Sequence, residues 1–529
     1  MIEAPKTLAC RQVGEWTLRH QHSYPTPFVD VTIEASFTSP SGRVVTVPGF
    51  HDGGEIWRVR FNPGEAGTWH WRIASRPHAA TLSGEGTLEV SPRAVRGFLR
   101  ATPGEAWGFT WENGEPAFLL GDTTYHLFGM AHCGGNVEGF LRRRKSQGVN
   151  LLRIRVPVSR FHHPEGYSDW QTKSCHPWGG SENRPRFDQF NLDWFATVDR
   201  VVRLCEELEM GIEMIMEGWG FEFPFNSRAI FTAEWEQLWL RFLVARYDAY
   251  TCINFWTPLN EYEYYPNGDW NYKVAADMWA LRIARWMKAT AGHGHIVAMH
   301  NGPRLPPFAE RFRADPEAVD AIMYQEWGTR DRDQGWLAIG IEETIGKAFE
   351  GWRGSAVFAE FGYERNPSLQ LKLPSHEFCD RDHSRRSIWR GAFCSLCVIH
   401  GFENSWGPWM ELDQDQPGMA DFILFRKFFT ETVPFARLRP APDLLAPGER
   451  QAGQQPLAMA TRERDVVIAY LPAGGSLRFA AAQDGRVLRW FDPRKGTMAE
   501  AKASGGVFTP PSPGPAERPH DWVLASTAR

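Results

Sequence analysis

INFWTPLNE, residues 253–261, is a short apolar run that ends on an amide and a carboxylate. Aromatic and β-branched residues fill most of its first half, the composition of a buried strand. The segments on either side have a different period. LDWFATVDRVVRLCEELE and AEWEQLWLRFLVARY upstream, and MWALRIARWMKAT downstream, repeat their apolar residues at helical spacing. A buried strand between amphipathic helices predicts a βα unit and a parallel sheet.

Seven further strands fall into the same alternation. PAFLLGDTTYH (116–126), NLLRIRVPV (150–158) and GIEMIMEGW (211–219) precede the opening stretch. HIVAMHNG (295–302), AIMYQEWG (321–328), SAVFAEFG (355–362) and GFENSWGPW (401–409) follow it. Eight βα units across residues 96–435 predict a (β/α)₈ TIM barrel with long loops. A doubly wound open sheet would bring a glycine-rich phosphate loop after its first strand, and GDTTYH is not one.

The flanks read differently. Residues 1–95 hold short runs of period-two alternation broken by Gly and Pro (VDVTIEASF, IWRVRFNP, GTWHWRIAS), the pattern of an antiparallel β-sandwich; the stretches YPTPFVDV and GFHDGGEIWRVRFNPGEAGTWHW resemble an Ig-like domain. After the linker-like PAPDLLAPGERQAGQQPL, the runs DVVIAYLP, RVLRWFDP and DWVLAS predict a small β-domain over residues 436–529. The expected architecture is multidomain α/β: a barrel between an N-terminal β-sandwich and a C-terminal β-domain.

Composition narrows the partners. The 529 residues carry a net charge of −5 and no basic stripe, which argues against nucleic acid. The densest cationic cluster, Arg142 to Lys145, fits a solvated helix face. No apolar stretch is long enough to span a bilayer, so no membrane association is expected. The first residues lack an apolar leader segment, which predicts a cytoplasmic location, or a secreted one if a leader has been removed. Eight cysteines without framework spacing favour a reducing compartment. Cys394 and Cys397, with His400 near them, lack a second ligand pair and are expected as buried thiols on one helix face. The 24 Trp suit either sugar rings stacked on indoles or a large β-rich core.

Barrel enzymes place chemistry at the C-terminal ends of their strands. In chain order those positions hold Asp122, Arg153, Glu217, Asn260 with Glu261, His300 with Asn301, Tyr324 to Glu326, Glu360, then Trp406 and Trp409. Carboxylates, amides and aromatics dominate, without a metal-ligand set or a lysine for a Schiff base. A barrel aldolase or lyase therefore fits poorly. Cleaving a glycosidic bond needs two carboxyl groups flanking the anomeric carbon. Glu261 and Glu360 end the fourth and seventh strands, across the ring from each other, and are the candidate pair.

The pattern Leu259-Asn260-Glu261 with Ala359-Glu360-Phe361 resembles clan A glycoside hydrolases, and GDTTYHLF followed by FLRRRKSQGVN resembles their apiosidase-like branch. The resemblance implies hydrolysis with retention by double displacement, with Glu261 as acid/base and Glu360 as nucleophile. It implies that Asn260 contacts the 2-hydroxyl, Arg153 braces the nucleophile, Tyr324 hydrogen-bonds it and Trp406 floors the subsite. Pro258, where the clan usually carries a bulkier or polar helper, departs from the pattern and leaves the local backbone open.

Further candidates for sugar contacts are Asp122, which would otherwise cap the following helix, His300, and one of the adjacent pair His162 and His163, with His163 preferred. Arg155 shares the face of Arg153, while Glu217 and Glu326 are spare acids or ion-pair partners. His51, Asp52 and Trp57 are expected as packing and turn residues of the sandwich, which could also wall the cleft. No metal or organic cofactor is called for. The partner expected is a carbohydrate, an oligo- or polysaccharide, and an oligomer is compatible with the sequence. Insertions over 159–187 and 363–388 suggest a closed pocket and exo action. The alternative reading is a non-catalytic carbohydrate-binding protein on a barrel scaffold, which would have no need of the intact carboxylate pair.

Overall fold

A computed structural model describes residues 2–102, 108–158, 174–269, 271–326, 341–364, 378–402, 412–448, 454–483, 485–516 and 518–526. His162, His163, Trp406 and Trp409 lie outside the described residues. Eight parallel strands of the central sheet form a closed barrel. They are β1 (Leu120–Thr123), β2 (Leu151–Arg155), β3 (Gly211–Ile215), β4 (Ile253–Thr257), β5 (Ile296–His300), β6 (Ala321–Gln325), β7 (Ser355–Glu360) and β8 (Val398–Phe402). Each pairs with the next, and Leu120 of β1 pairs with Val398 of β8, which closes the barrel.

The helices of the outer layer are α1 (Val137–Ser146), α2 (Leu192–Leu208), α3 (Ala233–Tyr247), α4 (Val274–Thr290), α5 (Ile341–Ala348), α6 (Arg381–Ala392) and α7 (Met419–Lys427). Their starts are set chemically. Asn136, Asn191 and Asp380 each accept a hydrogen bond from a backbone N–H in the first turn of α1, α2 and α6. Along α2 the buried Trp194, Val198, Val201 and Cys205 make the stripe that packs on the barrel. Side chains alternate along each strand, so Ala321 and Met323 of β6 fill the barrel while Ile322 and Tyr324 face the helices. A hairpin of Leu99–Ala101 with Phe109–Trp111 puts Leu99 and Phe109 into the same interior cluster.

Three expectations need correcting. The eighth strand is Val398–Phe402, starting three residues earlier than the periodicity suggested, because α6 ends at Ala392. Cys394 and Cys397 therefore share no helix face: Cys394 follows the helix end, and Cys397 sits in the barrel interior, where burial raises its thiol to about 12. Arg144 is not solvated either, since it is 2 % exposed and ion-paired with Asp122 and Asp415.

The N-terminal unit is two facing sheets. In Thr32–Thr38 the residues Ile33, Ala35 and Phe37 point inward, and Phe37 stacks on Phe61 with centroids 3.8 Å apart. The C-terminal unit is built on a six-stranded sheet and a three-stranded sheet. It is tied to the barrel where Arg385 of α6 pairs with buried Asp521 at 2.8 Å. Among the described residues no helix is long and apolar enough to cross a membrane.

The sandwich docks on α3 and on the turns that enter β4 and β5, at the end of the barrel away from Glu261. Its contact is charged and buried. Asp199 of α2 receives Arg60 of the sandwich at 2.6 Å and Arg246 of α3 at 2.8 Å, and Arg246 also reaches Asp52 at 2.8 Å. Asp52 is thus an interface residue. Burial alone would raise the Asp199 carboxyl, but the two guanidinium groups outweigh it and hold it near 2.

Removing Asp199 would leave two buried cations short of a partner, a loss on the order of 3–5 kcal/mol. Asp199→Ala is expected to lower the calorimetric Tm of the barrel and sandwich. A carboxyl depressed in the fold contributes stability above its ordinary value of 3.8 and loses it as pH falls toward 2. The Tm deficit of the variant should therefore be larger at pH 6 than at pH 3.

Candidate active site

Glu360 ends β7, and a register shift aims it. Tyr324 pairs with Phe358, but Gln325 pairs with Glu360, so Ala359 is an extra residue. Strict alternation from inward Val357 would turn Glu360 toward the helices. The bulge returns it to the barrel mouth, a use to which bulges at barrel rims are often put.

Two donors converge there, beside a histidine ring. Glu360 Oε1 accepts the Tyr125 hydroxyl at 2.7 Å and Arg153 Nη1 at 2.5 Å, and His300 Nε2 lies 3.5 Å away. Arg153 is fully buried on the inward face of β2 and is shared among several groups. Its Nη2 donates to Asn260 Oδ1, and its Nε lies 3.1 Å from Glu213 Oε2. Glu213 is held from its other oxygen by the Thr257 hydroxyl at 2.9 Å. Burial alone would weaken Arg153 as a base, but Tyr125, Glu213 and Glu360 keep it charged. His300 is driven well below its ordinary 6.5 by burial and then by Arg153, so it is neutral. Among the described residues neither of its ring nitrogens has a hydrogen-bond partner, and neither does Asn260 Nδ2.

Glu261 lies in a different environment. Its backbone is left-handed (φ 55°), uncommon for a non-glycine residue and a feature that gathers at functional sites. The preceding Pro258 does not disturb the chain, for its carbonyl accepts Glu217 N at 2.9 Å and carries the pairing with the β3 side onward. Glu261 is 7 % exposed, and Gln325 Nε2 donates to its Oε1 at 2.7 Å. Burial first and the neighbouring Glu360 second push its carboxyl up to about 8, against the opposing pull of Gln325 and Arg153. One carboxyl is gripped by a guanidinium while its neighbour is kept neutral around pH 7, the division of labour that acid and nucleophile roles require.

The structure brings together Arg153, Asn260, Glu261, His300 and Glu360 from the sequence reading. Two candidates lie elsewhere. Tyr324 faces outward, its ring stacked on Phe358 at 4.8 Å and its hydroxyl beside Cys394 and Ser395, because period two along β6 sends it away from the mouth. The hydroxyl that reaches Glu360 belongs to Tyr125, just past β1, with Tyr363 next to it. Asp122 shares the outward face of Leu120 and pairs with Arg144 Nε of α1 at 2.6 Å, a structural tie rather than a sugar contact.

The spare residues separate as well. Arg155 pairs with Glu222 and lies over Trp219 at 4.6 Å, leaving Arg153 as the brace. Glu217 pairs with Arg228 at 2.8 Å in a network with Glu236, while Glu326 N donates to the Glu360 carbonyl at 3.1 Å. A cavity of about 1010 Å³ lies on the outer side of β6, between α5 and the C-terminal unit, and none of the candidate pair lines it. Two residues escaped the sequence reading, and a third, Gln325, stood among the strand-end residues without a role. Glu213 had a signal, a lone carboxylate amid the apolar GIEMI. Gln325 had another, since one step along the strand from Tyr324 changes the face. Tyr125 lies two residues beyond β1, and no period points it anywhere.

A family model described as the apiosidase-like catalytic domain matches residues 108–412. A domain of unknown function matches residues 9–76, and a collagen-binding-like domain of a collagenase matches residues 440–526. No curated protein matches the chain. Among solved structures, a Bacteroides vulgatus ATCC 8482 protein provisionally described as a glycoside hydrolase superposes with a TM-score of 0.71 at 16 % identity. That match covers 99 % of this chain and 100 % of the other. A glycoside hydrolase family 5 protein from the same organism gives 0.60 at 15 % identity, over 82 % and 94 % of the two chains. At these identities the likeness is one of fold. The family model spans more than half of the sequence, and the chain belongs to the apiosidase-like catalytic domain family.

Proposed function

We propose that the protein is a retaining glycoside hydrolase acting on an oligo- or polysaccharide. The observation that carries this reading is the contrast between two neighbouring carboxyls, Glu360 gripped by Arg153 and Tyr125, and Glu261 raised to about 8. Glu360 attacks the anomeric carbon while Glu261 protonates the departing oxygen. Glu261, now a carboxylate, then takes a proton from the water that opens the glycosyl-enzyme. Asn260 Nδ2 and the two nitrogens of His300, buried and without hydrogen-bond partners among the described residues, are available to meet sugar hydroxyls. The insertions over 159–187 and 363–388 favour release of a terminal residue by their length alone.

A panel of aryl pyranosides and furanosides tests the reading, with products followed by NMR. The first-formed hemiacetal should keep the anomeric configuration of the substrate. Glu360→Ala should lose more than about 10³-fold in kcat. Glu261→Ala should lose roughly 10²–10⁴-fold on a poor leaving group and far less on dinitrophenolate. Inverted product, or comparable activity in Glu360→Ala, would contradict the mechanism.

Titration of Glu261 has two consequences. The basic limb of kcat/KM should fall near pH 8, where the acid loses its proton. Stability should follow the same group: the fold holds a proton that the unfolded chain releases near 4.5, so the contribution of the neutral form declines from about pH 4.5 to pH 8. Glu261→Gln, which cannot ionise, should gain Tm relative to the wild type as pH rises from 5 to 9, by roughly 5 °C. A constant difference across that range would contradict the raised carboxyl.

A further inference from the structure

We propose that Gln325 is a positioning residue that confines the acid proton of Glu261 to Oε2, the oxygen left to face the scissile bond. The proposal rests on the assignment of Glu261 as acid/base, but its geometry is independent of any substrate. A carboxylic acid can carry its proton on either oxygen, and only one can be aimed at the leaving group. Gln325 Nε2 donates to Glu261 Oε1 at 2.7 Å, so Oε1 serves as the acceptor and a proton there would meet a donor head-on.

The amide has little freedom to do otherwise. Its Nε2 also donates to the backbone carbonyl of Asn301 at 2.9 Å, so both of its N–H bonds are committed to acceptors. Flipping the amide would set its oxygen against that carbonyl, and the orientation is thereby decided by the network. The strand is pinned as well: Gln325 N donates to Asn301 Oδ1 at 3.1 Å, and Asn301 Nδ2 in turn donates to Gly302 O at 2.5 Å. The bulge in β7 that aims Glu360 sets Gln325 opposite it, so one backbone feature orients both halves of the carboxyl pair. During turnover the same N–H steadies Glu261 when it becomes a carboxylate after giving its proton away.

The test uses Gln325→Met, close in shape and without a donor, with selective ¹³Cδ-glutamate labelling and NMR titration. Glu261→Gln identifies the resonance. Losing the donor should raise the Glu261 midpoint by about one unit relative to the wild type. In leaving-group series with aryl glycosides, Gln325→Met should lose about tenfold or more on poorly leaving phenols and little on dinitrophenolate. A folded Gln325→Met, checked by circular dichroism and Tm, with an unmoved midpoint would overturn the proposal. An equal loss on all leaving groups would also overturn it, because that is what a merely structural role would give. If Gln325→Met fails to fold, Gln325→Leu, which also lacks the donor and adds no charge, decides: a raised midpoint supports the proposal and an unmoved one refutes it. The NMR arm reads Glu261 even if none of the sugars tried is a substrate, so failure of the glycosidase reading is distinguishable from failure of this one.

Discussion

One buried cation organises the mouth of this barrel. Arg153 has no exposed surface, and a guanidinium in that position persists only if anions and acceptors surround it. Glu213 sits below it, Glu360 beside it and Asn260 across it, each fixed by a separate nitrogen of the fork. The nucleophile candidate is thus held as the counter-ion of a charge the barrel has already buried. Burial first, and the same cation second, keep His300 neutral.

The arrangement also explains why the two carboxyls differ. Arg153 and Tyr125 both bind Glu360 Oε1, whereas Glu261 receives the single amide of Gln325 and the field of a neighbouring carboxylate. Two chemically identical side chains thus differ through the partners each one meets. The cost falls on the backbone, with Glu261 in a left-handed conformation and Ala359 forming a bulge. Such departures from regular geometry persist where packing around them is strong, and the sandwich braces α2 and α3 through Arg60, Asp199 and Arg246 at the far end of the barrel.

Much of this was legible in the sequence. The eight-fold alternation of strands and helices marked the barrel, because each period reflects which faces are buried. The pair at 261 and 360 followed from the rule that chemistry sits at strand ends, together with the resemblance at Asn260-Glu261. Errors came where one residue of register decides a face. Tyr324 and Asp122 end strands as expected but point outward; Tyr125 makes the bond to Glu360 expected of Tyr324, and Gln325 bonds Glu261 instead. A bulge cannot be read from period two, since its effect is to break that period. Arg144, placed in a charged run, is buried because Asp122 and Asp415, distant from each other in sequence, converge on it.

The measurement that bears most directly on the account is covalent trapping of the intermediate. A 2-deoxy-2-fluoro glycosyl donor with a dinitrophenolate leaving group slows both steps but leaves departure fast, so the glycosyl-enzyme accumulates. With a sugar the enzyme accepts, peptide mapping by mass spectrometry should find one added glycosyl group, attached to Glu360, and none in Glu360→Ala. A label on Glu261, or turnover of that sugar with no covalent species at any time, would contradict the roles assigned to the pair.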